Sequence, residues 1–171
     1  RANPQIFVLQ SGTAATYVHA DVLGWNGKKQ AELEKGAQNL LKRFRDEIVP
    51  YGRVQSDLFN PRQFPPLAGG FCWTVDLLKD RLEHCSFIRF IGTTKELFVP
   101  LPNACEIHDD VTFLAYILRK EFQGTAKTAD LQKRLAELNF SRDGKIPRAY
   151  KTLKQNLPYI YSADNVRLRQ S

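Results

Sequence analysis

The sequence predicts an α+β, helix-rich fold: two successive units, each a set of helices closed by a β-hairpin, with a short β segment in front. Three observations lead there. Apolar residues recur at helical spacing in successive windows along the chain. Short apolar runs divided by turn residues follow the last helix of each set. The passages LLKDRLEHCSFIRFI and AYKTLKQNLPYIYS share one order, an amphipathic helix, a short break and a strand. A hydrophobic content of 43% against 25% charged residues gives enough apolar surface for a buried core, so wholesale disorder is not expected.

The elements follow in order. Ile6 to Leu9 is a short apolar run and Ser11-Gly12-Thr13 a turn signal. Tyr17 to Val22 then alternates, with Val18, Ala20 and Val22 on one face of an expected strand, and Trp25-Asn26-Gly27 reads as a second turn. From Gln30 the period becomes helical, with Leu33, Ala37, Leu40, Leu41, Phe44 and Ile48 on one face and Pro50 and Gly52 as the stop. Gly36 weakens this helix by about 1 kcal/mol relative to Ala, which moves its expected start toward Ala37. RVQSDLFNPRQFPPLAGG reads as a loop or a broken helical piece. A helix with Val75, Leu78, Leu82 and Cys85 inward follows, capped by Thr74 with Asp76 in its first turn. Phe87–Ile91 and Leu97–Leu101 flank a Gly92-Thr93-Thr94 turn in a hairpin pattern.

The last third repeats the order. One helix buries Val111, Leu114, Leu118 and Phe122, with Asp109 or Asp110 as cap and Gly124 as stop. A second buries Leu131, Leu135 and Leu138. A third, KIPRAYKTLKQNL, has Pro147 near its first turn and Tyr150, Leu153 and Leu157 inward. A hairpin of Tyr159–Tyr161 and Val166–Leu168 closes the chain. The expected divisions are 1–30, a β segment; 31–102, the first unit; and 106–171, the second, joined through PLPNACEIHDD.

Helices followed by a hairpin in this order are similar to the winged helix-turn-helix superfamily. DDVTFLAYILRKEF, TADLQKRLAELNF, IPRAYKTLKQNLPYI and VRLRQ carry the likeness in the second unit; NLLKRFRDEIVPYGRV and TVDLLKDRLEHCSFIRFI carry it in the first. Within that superfamily, the LPYI break between helix and strand resembles LOTUS (OST-HTH) domains, small modules linked to RNA regulation. The resemblance implies a nucleic-acid or protein partner without choosing between them.

Charge narrows the choice. The net charge is +7, which favours polyanionic partners. From Phe140 to Ser171 there are seven basic residues and two acidic ones, so most of the excess lies there. Arg148, Lys151 and Gln155 share one helical face, Lys154 flanks it, and Lys145 precedes it. In a winged helix this third helix is the one that enters a groove, where Lys and Arg neutralise phosphates and Gln reads base edges. Arg167 and Arg169 on the wing would add backbone contacts. The corresponding helix of the first unit turns Asp76, Lys79, Asp80 and Glu83 outward, a face that repels phosphate. The expectation is therefore a non-catalytic nucleic-acid-binding protein, RNA ahead of DNA. The alternative is a protein-interaction scaffold that docks a partner on the 31–102 unit.

Other chemistries find less support. Cys105 and His108 have the spacing of half a zinc site, which Cys72, Cys85 or His84 would have to complete, and no recurring ligand spacing does so. Three cysteines at irregular spacing argue against a disulfide framework, for buried free thiols and for an intracellular setting. No cofactor is expected. His19 and Asp21 could act as acid and base in a hydrolase, but no nucleophile or phosphate loop accompanies them. Asp109 and Asp110 serve a helix cap more cheaply than a metal. Cys85 beside His84 is no dyad, because helical neighbours point about 100° apart. Phe71, Trp73, Tyr159 and Tyr161 can stack on unpaired bases, though packing is the first use of each. No run reaches the roughly 20 apolar residues of a membrane span, and no signal peptide opens the chain. The start at Arg1 and the absence of Met lead to the expectation of a fragment or processed chain.

Overall fold

The computed structural model describes residues 5–46, 49–147 and 156–170 and gives a mixed α+β protein. Strands β1 (Ile6–Gln10) and β2 (Thr16–His19) form an antiparallel hairpin whose inward residues, Phe7 and Val18, are paired in register and buried. The alternation expected through Val22 stops at His19. There the imidazole Nδ1 accepts the Asp21 amide at 3.2 Å and starts a 3-10 turn, Ala20–Leu23, which Gly24 closes in the left-handed region at φ 60°. Val22 is left 49% exposed.

Helix α1 (Gly27–Asp46) begins earlier than the periodicity suggested, because the Asn26 side chain accepts the Lys29 amide at 2.9 Å and caps it. Gly36 is not a weak start but a close approach. A Cβ there would lie 2.5 Å from the Gln63 carbonyl oxygen. Leu33, Ala37, Leu41 and Phe44 are buried as expected; Ile48 lies outside the described residues. A two-residue strand, β3 (Gly52–Arg53), leads into a π-helical turn (Val54–Leu58) and a 3-10 turn (Pro61–Gln63), the broken helical piece of the sequence reading.

The Pro- and Gly-rich loop that follows is a plug. Phe64 meets Trp73 at 5.3 Å between ring centroids, Trp73 meets Trp25 at 5.6 Å, and Trp25 meets Phe7 at 5.7 Å, all edge to face. Helix α2 (Val75–Leu82) is capped by Thr74, whose hydroxyl accepts the Leu77 amide at 3.0 Å and donates to Leu9 O at 2.7 Å. The amino-terminal hairpin thereby lies on α2, sharing a small core of Phe7, Val18, Leu23 and Leu77.

Strands β4 (Ile88–Ile91) and β5 (Leu97–Pro100) form the first closing hairpin, and β3 adds to β5, giving the order β3-β5-β4. Helix α3 (Asp110–Glu121) opens with a capping box between Asp109 and Thr112. Then come β6 (Thr125–Lys127), α4 (Thr128–Glu137), β7 (Tyr159–Tyr161) and β8 (Asn165–Leu168), with the order β6-β8-β7. Arg134 on α4 clasps Glu121 on α3 through two hydrogen bonds of 2.6 and 3.0 Å. The two halves thus share one strand order, with the last strand in the middle. The third helix expected over KIPRAYKTLKQNL falls largely on residues 148–155, outside those described.

Strand β5 joins the cores. Phe98 packs with Leu41, Phe44 and Leu82, while Leu97 and Val99 on the other face pack with Leu114, Leu131 and Phe140. Helix α3 is accordingly buried at Val111 and throughout Phe113–Leu118, more widely than a one-sided helix requires. The Gly92–Thr94 turn is seated on the end of α4. Thr93 N donates to Phe140 O at 2.8 Å, and the Thr94 hydroxyl donates to Asn139 O at 2.8 Å. Gly92 donates to Asp110 Oδ1 at 2.8 Å, and a Cβ on it would stand 2.5 Å from Phe140 O. Among the described residues no helix is long and apolar enough to cross a membrane.

Candidate nucleic-acid interface

The carboxy-terminal sheet has a buried and an open face. Ala126, Val166 and Tyr159 are buried, whereas Thr125, Lys127, Asn165 and Arg167 are exposed. Register places Thr125, Arg167 and Ile160 across the three strands in one row, with Lys127 beside Asn165 one step along. Ile160 is 36% exposed, an apolar contact among polar neighbours. A shallow cavity of about 420 Å³ lies here, and its lining includes Thr125, Ile160, Arg167, Arg169 and Gln170, with no acidic residue. Arg167 and Arg169, two of the expected contact residues, are thus brought to one place.

Arg169 also has a local duty. Its amide donates to Pro158 O and its Nε to Leu157 O, both at 2.8 Å, so the arginine holds the approach to β7. Lys145 is exposed on the turn after α4, where its amide donates to Asp143 Oδ1 at 3.3 Å. Buried Ile146 and a 2.7 Å hydrogen bond from the Tyr159 hydroxyl to Pro147 O anchor the chain just beyond it. Arg148, Lys151, Lys154 and Gln155 lie outside the described residues, between these two anchored ends. Lys127 was not foreseen as a contact. It stands alone in the sequence, and only the pairing of β6 with β8 brings it to the basic face.

The aromatic candidates resolve toward packing. Tyr159 is 1% exposed, and the Trp73 indole donates to Pro65 O at 2.8 Å within the aromatic plug. Phe71 and Tyr161 are half-buried against neighbouring cores. His19 is drawn into capping. With Nδ1 accepting from the Asp21 amide, Nε2 meets Gln5 Oε1 at 3.1 Å, and Asp21 stands with its carboxylate 90% exposed. Among the described residues no three His, Cys, Asp or Glu side chains gather as metal ligands. The cysteines depart from the expected burial: Cys72 is exposed, and Cys85 and Cys105 are half-buried. The chain matches no family model, no curated protein and no solved structure.

The same elements differ in the first half. Its hairpin turn is seated on α4, and α2 carries the amino-terminal hairpin through Leu77 and through Arg81, whose guanidinium lies 3.4 Å from the Phe7 ring centre. Asp76, Lys79 and Asp80, expected outward, are half-buried and the charges of α2 are paired: Lys79 with Asp76 at 3.8 Å and Arg81 with Asp80 at 3.1 Å, while exposed Glu83 meets Lys95 at 3.0 Å.

Proposed function

We propose that this chain is a non-catalytic nucleic-acid-binding protein built from two winged helix-turn-helix units, and that the carboxy-terminal unit does the binding. The observation that carries the reading is the open face of the β6-β8-β7 sheet, where Arg167 and Arg169 line a cavity with no acidic residue in its lining and Lys127 stands one pairing step along, opposite Asn165. The shared strand order of the two halves supports the tandem reading, since a helix, a short strand, further helices and a hairpin folded back beside that strand make a winged helix. On the sequence periodicity alone, the basic run Lys145, Arg148, Lys151 and Lys154, with Gln155, would supply the groove-facing helix, and Arg167 and Arg169 would supply the wing. Phosphate contacts give the affinity and orient the complex. The placing of RNA ahead of DNA rests on the resemblance to LOTUS modules.

The test is fluorescence anisotropy with single-stranded RNA, duplex RNA and duplex DNA at two salt concentrations, comparing the chain with Lys151→Glu/Lys154→Glu. Salt-sensitive binding that the double variant loses supports the reading, and the preferred probe names the ligand. A folded chain that binds none of the probes refutes it.

A further inference from the structure

The carboxy-terminal sheet has a shape that narrows its ligand. Strand β8 is in the middle, paired with β6 on one side and β7 on the other. The β7–β8 turn is tied to the start of α4, where Thr128 donates to Ser162 O through its hydroxyl and to Asp164 O through its amide, both at 2.9 Å. The hairpin is therefore not a free two-stranded ribbon of the kind that enters a duplex groove. What it offers is the outer face of a three-stranded sheet.

The residues on that face are ordered. Arg167 stands at the centre of a row, opposite Thr125 on β6 and Ile160 on β7, and all three are exposed. Directly opposite Cβ atoms in antiparallel strands lie about 5 Å apart, so a small hydroxyl residue flanks Arg167 on one side and an apolar residue on the other. No carboxylate or carbonyl holds the Arg167 guanidinium among the described residues, whereas Arg134 is held by Glu121, Arg81 by Asp80 and Arg53 by Glu137 O. Lys127 lies one row along, opposite Asn165, and Arg169 lies two residues beyond Arg167 the other way. Two residues of a strand cover about 7 Å, so a cation, a planar and apolar seat and a second cation follow one another along β8. Arg169 spends Nε on Leu157 O, and its terminal nitrogens have no partner among the described residues. Asp164, the acid nearest in sequence, is in the turn and outside the cavity lining.

We infer that this face takes an unpaired nucleotide of a single strand, its base laid over Ile160 and the Arg167 guanidinium and its flanking phosphates on Lys127 and Arg169. The inference rests on the nucleic-acid reading and names the class of ligand at the same site. A duplex turns sugars and phosphates outward and offers its bases only by their edges, inside the grooves. An exposed isoleucine between two cations has no use for it. A splayed base has an apolar face for Ile160 and stacks on a planar guanidinium. Thr125 and Gln170, both in the cavity lining, carry donors and acceptors for the edge of such a base.

The test is fluorescence anisotropy on the whole chain with short fluorescein-labelled probes: single-stranded RNA, single-stranded DNA of the same sequence, blunt duplexes of each, and single strands with abasic central positions. The variants are Ile160→Ala; Arg167→Lys, which keeps the charge and loses the plane; and Tyr17→Ala, an exposed aromatic on the amino-terminal hairpin, as control. Single strands are expected to bind about tenfold tighter than duplexes, and the abasic strands about tenfold weaker than their parents. Ile160→Ala and Arg167→Lys should each lose about threefold to fivefold in single-strand affinity, the second with an unchanged salt slope, and Tyr17→Ala should lose nothing. Amide NMR spectra establish that each variant is folded, and ring-current shifts of the Ile160 methyl groups on adding the tighter single strand place the base. Equal affinity for duplex and single strand, abasic strands bound as tightly as their parents, or equal losses with Ile160→Ala and Tyr17→Ala overturn the inference and leave the nucleic-acid reading standing. No binding of any probe overturns both.

Discussion

The two halves of the molecule have one strand order and two fates. In the first, the hairpin turn Gly92–Thr94 is seated on Asn139 and Phe140, and α2 lies under the amino-terminal hairpin. In the second, the turn between β7 and β8 is tied to the start of its own α4, where Thr128 donates to Asp164 O and Ser162 O, both at 2.9 Å, and the outer face of the sheet is basic. The equivalent hairpin thus joins the halves in one place and, in the other, closes its own half and leaves one face open. The difference teaches that a repeated topology does not repeat its surroundings. What decides is which faces the neighbouring chain has already covered, and what charge the remaining ones hold.

The largest effect is expected where the halves share a wall. Leu97→Ala removes a side chain on the first hairpin that packs in the second core, and should cost about 3 kcal/mol. Urea denaturation followed by Trp fluorescence and by far-UV circular dichroism should keep one coincident transition in the parent chain. Two separate transitions there would break the comparison, because the seam would then not couple the halves. Gly92→Val should cost about 2–3 kcal/mol, since the glycine has φ 89° and no room for a Cβ beside Phe140 O. The same denaturation series checks it, and a neutral result would mean that the turn is not seated as described.

A smaller effect is expected at the covered helix. Thr74→Ala loses the cap of α2 and the tie to Leu9 together, a cost of about 1 kcal/mol. Faster amide exchange at the β1–β2 hairpin in this variant would show that the hydroxyl holds it down.

The smallest effect is in the thiols. Cys85 has a folded pKa raised from 9.0 to about 12, so it contributes stability that is present below pH 9 and lost as pH rises toward 12. Cys85→Ala should flatten that part of the stability profile. At pH 8 exposed Cys72 should react with a thiol-specific disulfide reagent well before Cys85 does. Equal rates would contradict the buried, hydrogen-bonded thiol.

Much of the fold was legible because burial imposes period. Leu33, Ala37 and Leu41 on α1 and Leu131, Leu135 and Leu138 on α4 are all buried where the spacing put them. The strands β3 and β6, of two and three residues, are too short to carry an alternation and were not read. The strand reading through Val22 failed because one side-chain cap at His19 overrode an alternating pattern. Gly36 was read for its propensity, yet its place is set by Gln63 across the fold. At the candidate interface, Arg167 and Arg169 were legible from charge alone, whereas Lys127 needed the sheet. The contact of the Cys85 thiol with Glu34 left no local signal, since the two are 51 residues apart in sequence.

The asymmetry between the halves is tested most directly by the salt dependence of single-stranded RNA binding in three proteins: the parent chain, Lys127→Glu/Arg167→Glu on the open sheet, and Lys79→Glu on the covered helix. The expected result is a parent slope of log K against log salt that becomes shallower by roughly 1.4 when two phosphate contacts are removed from the sheet, and an unchanged slope with Lys79→Glu. An unchanged slope in the sheet variant, or an equal loss in both variants, would contradict the claim that the carboxy-terminal unit alone meets nucleic acid.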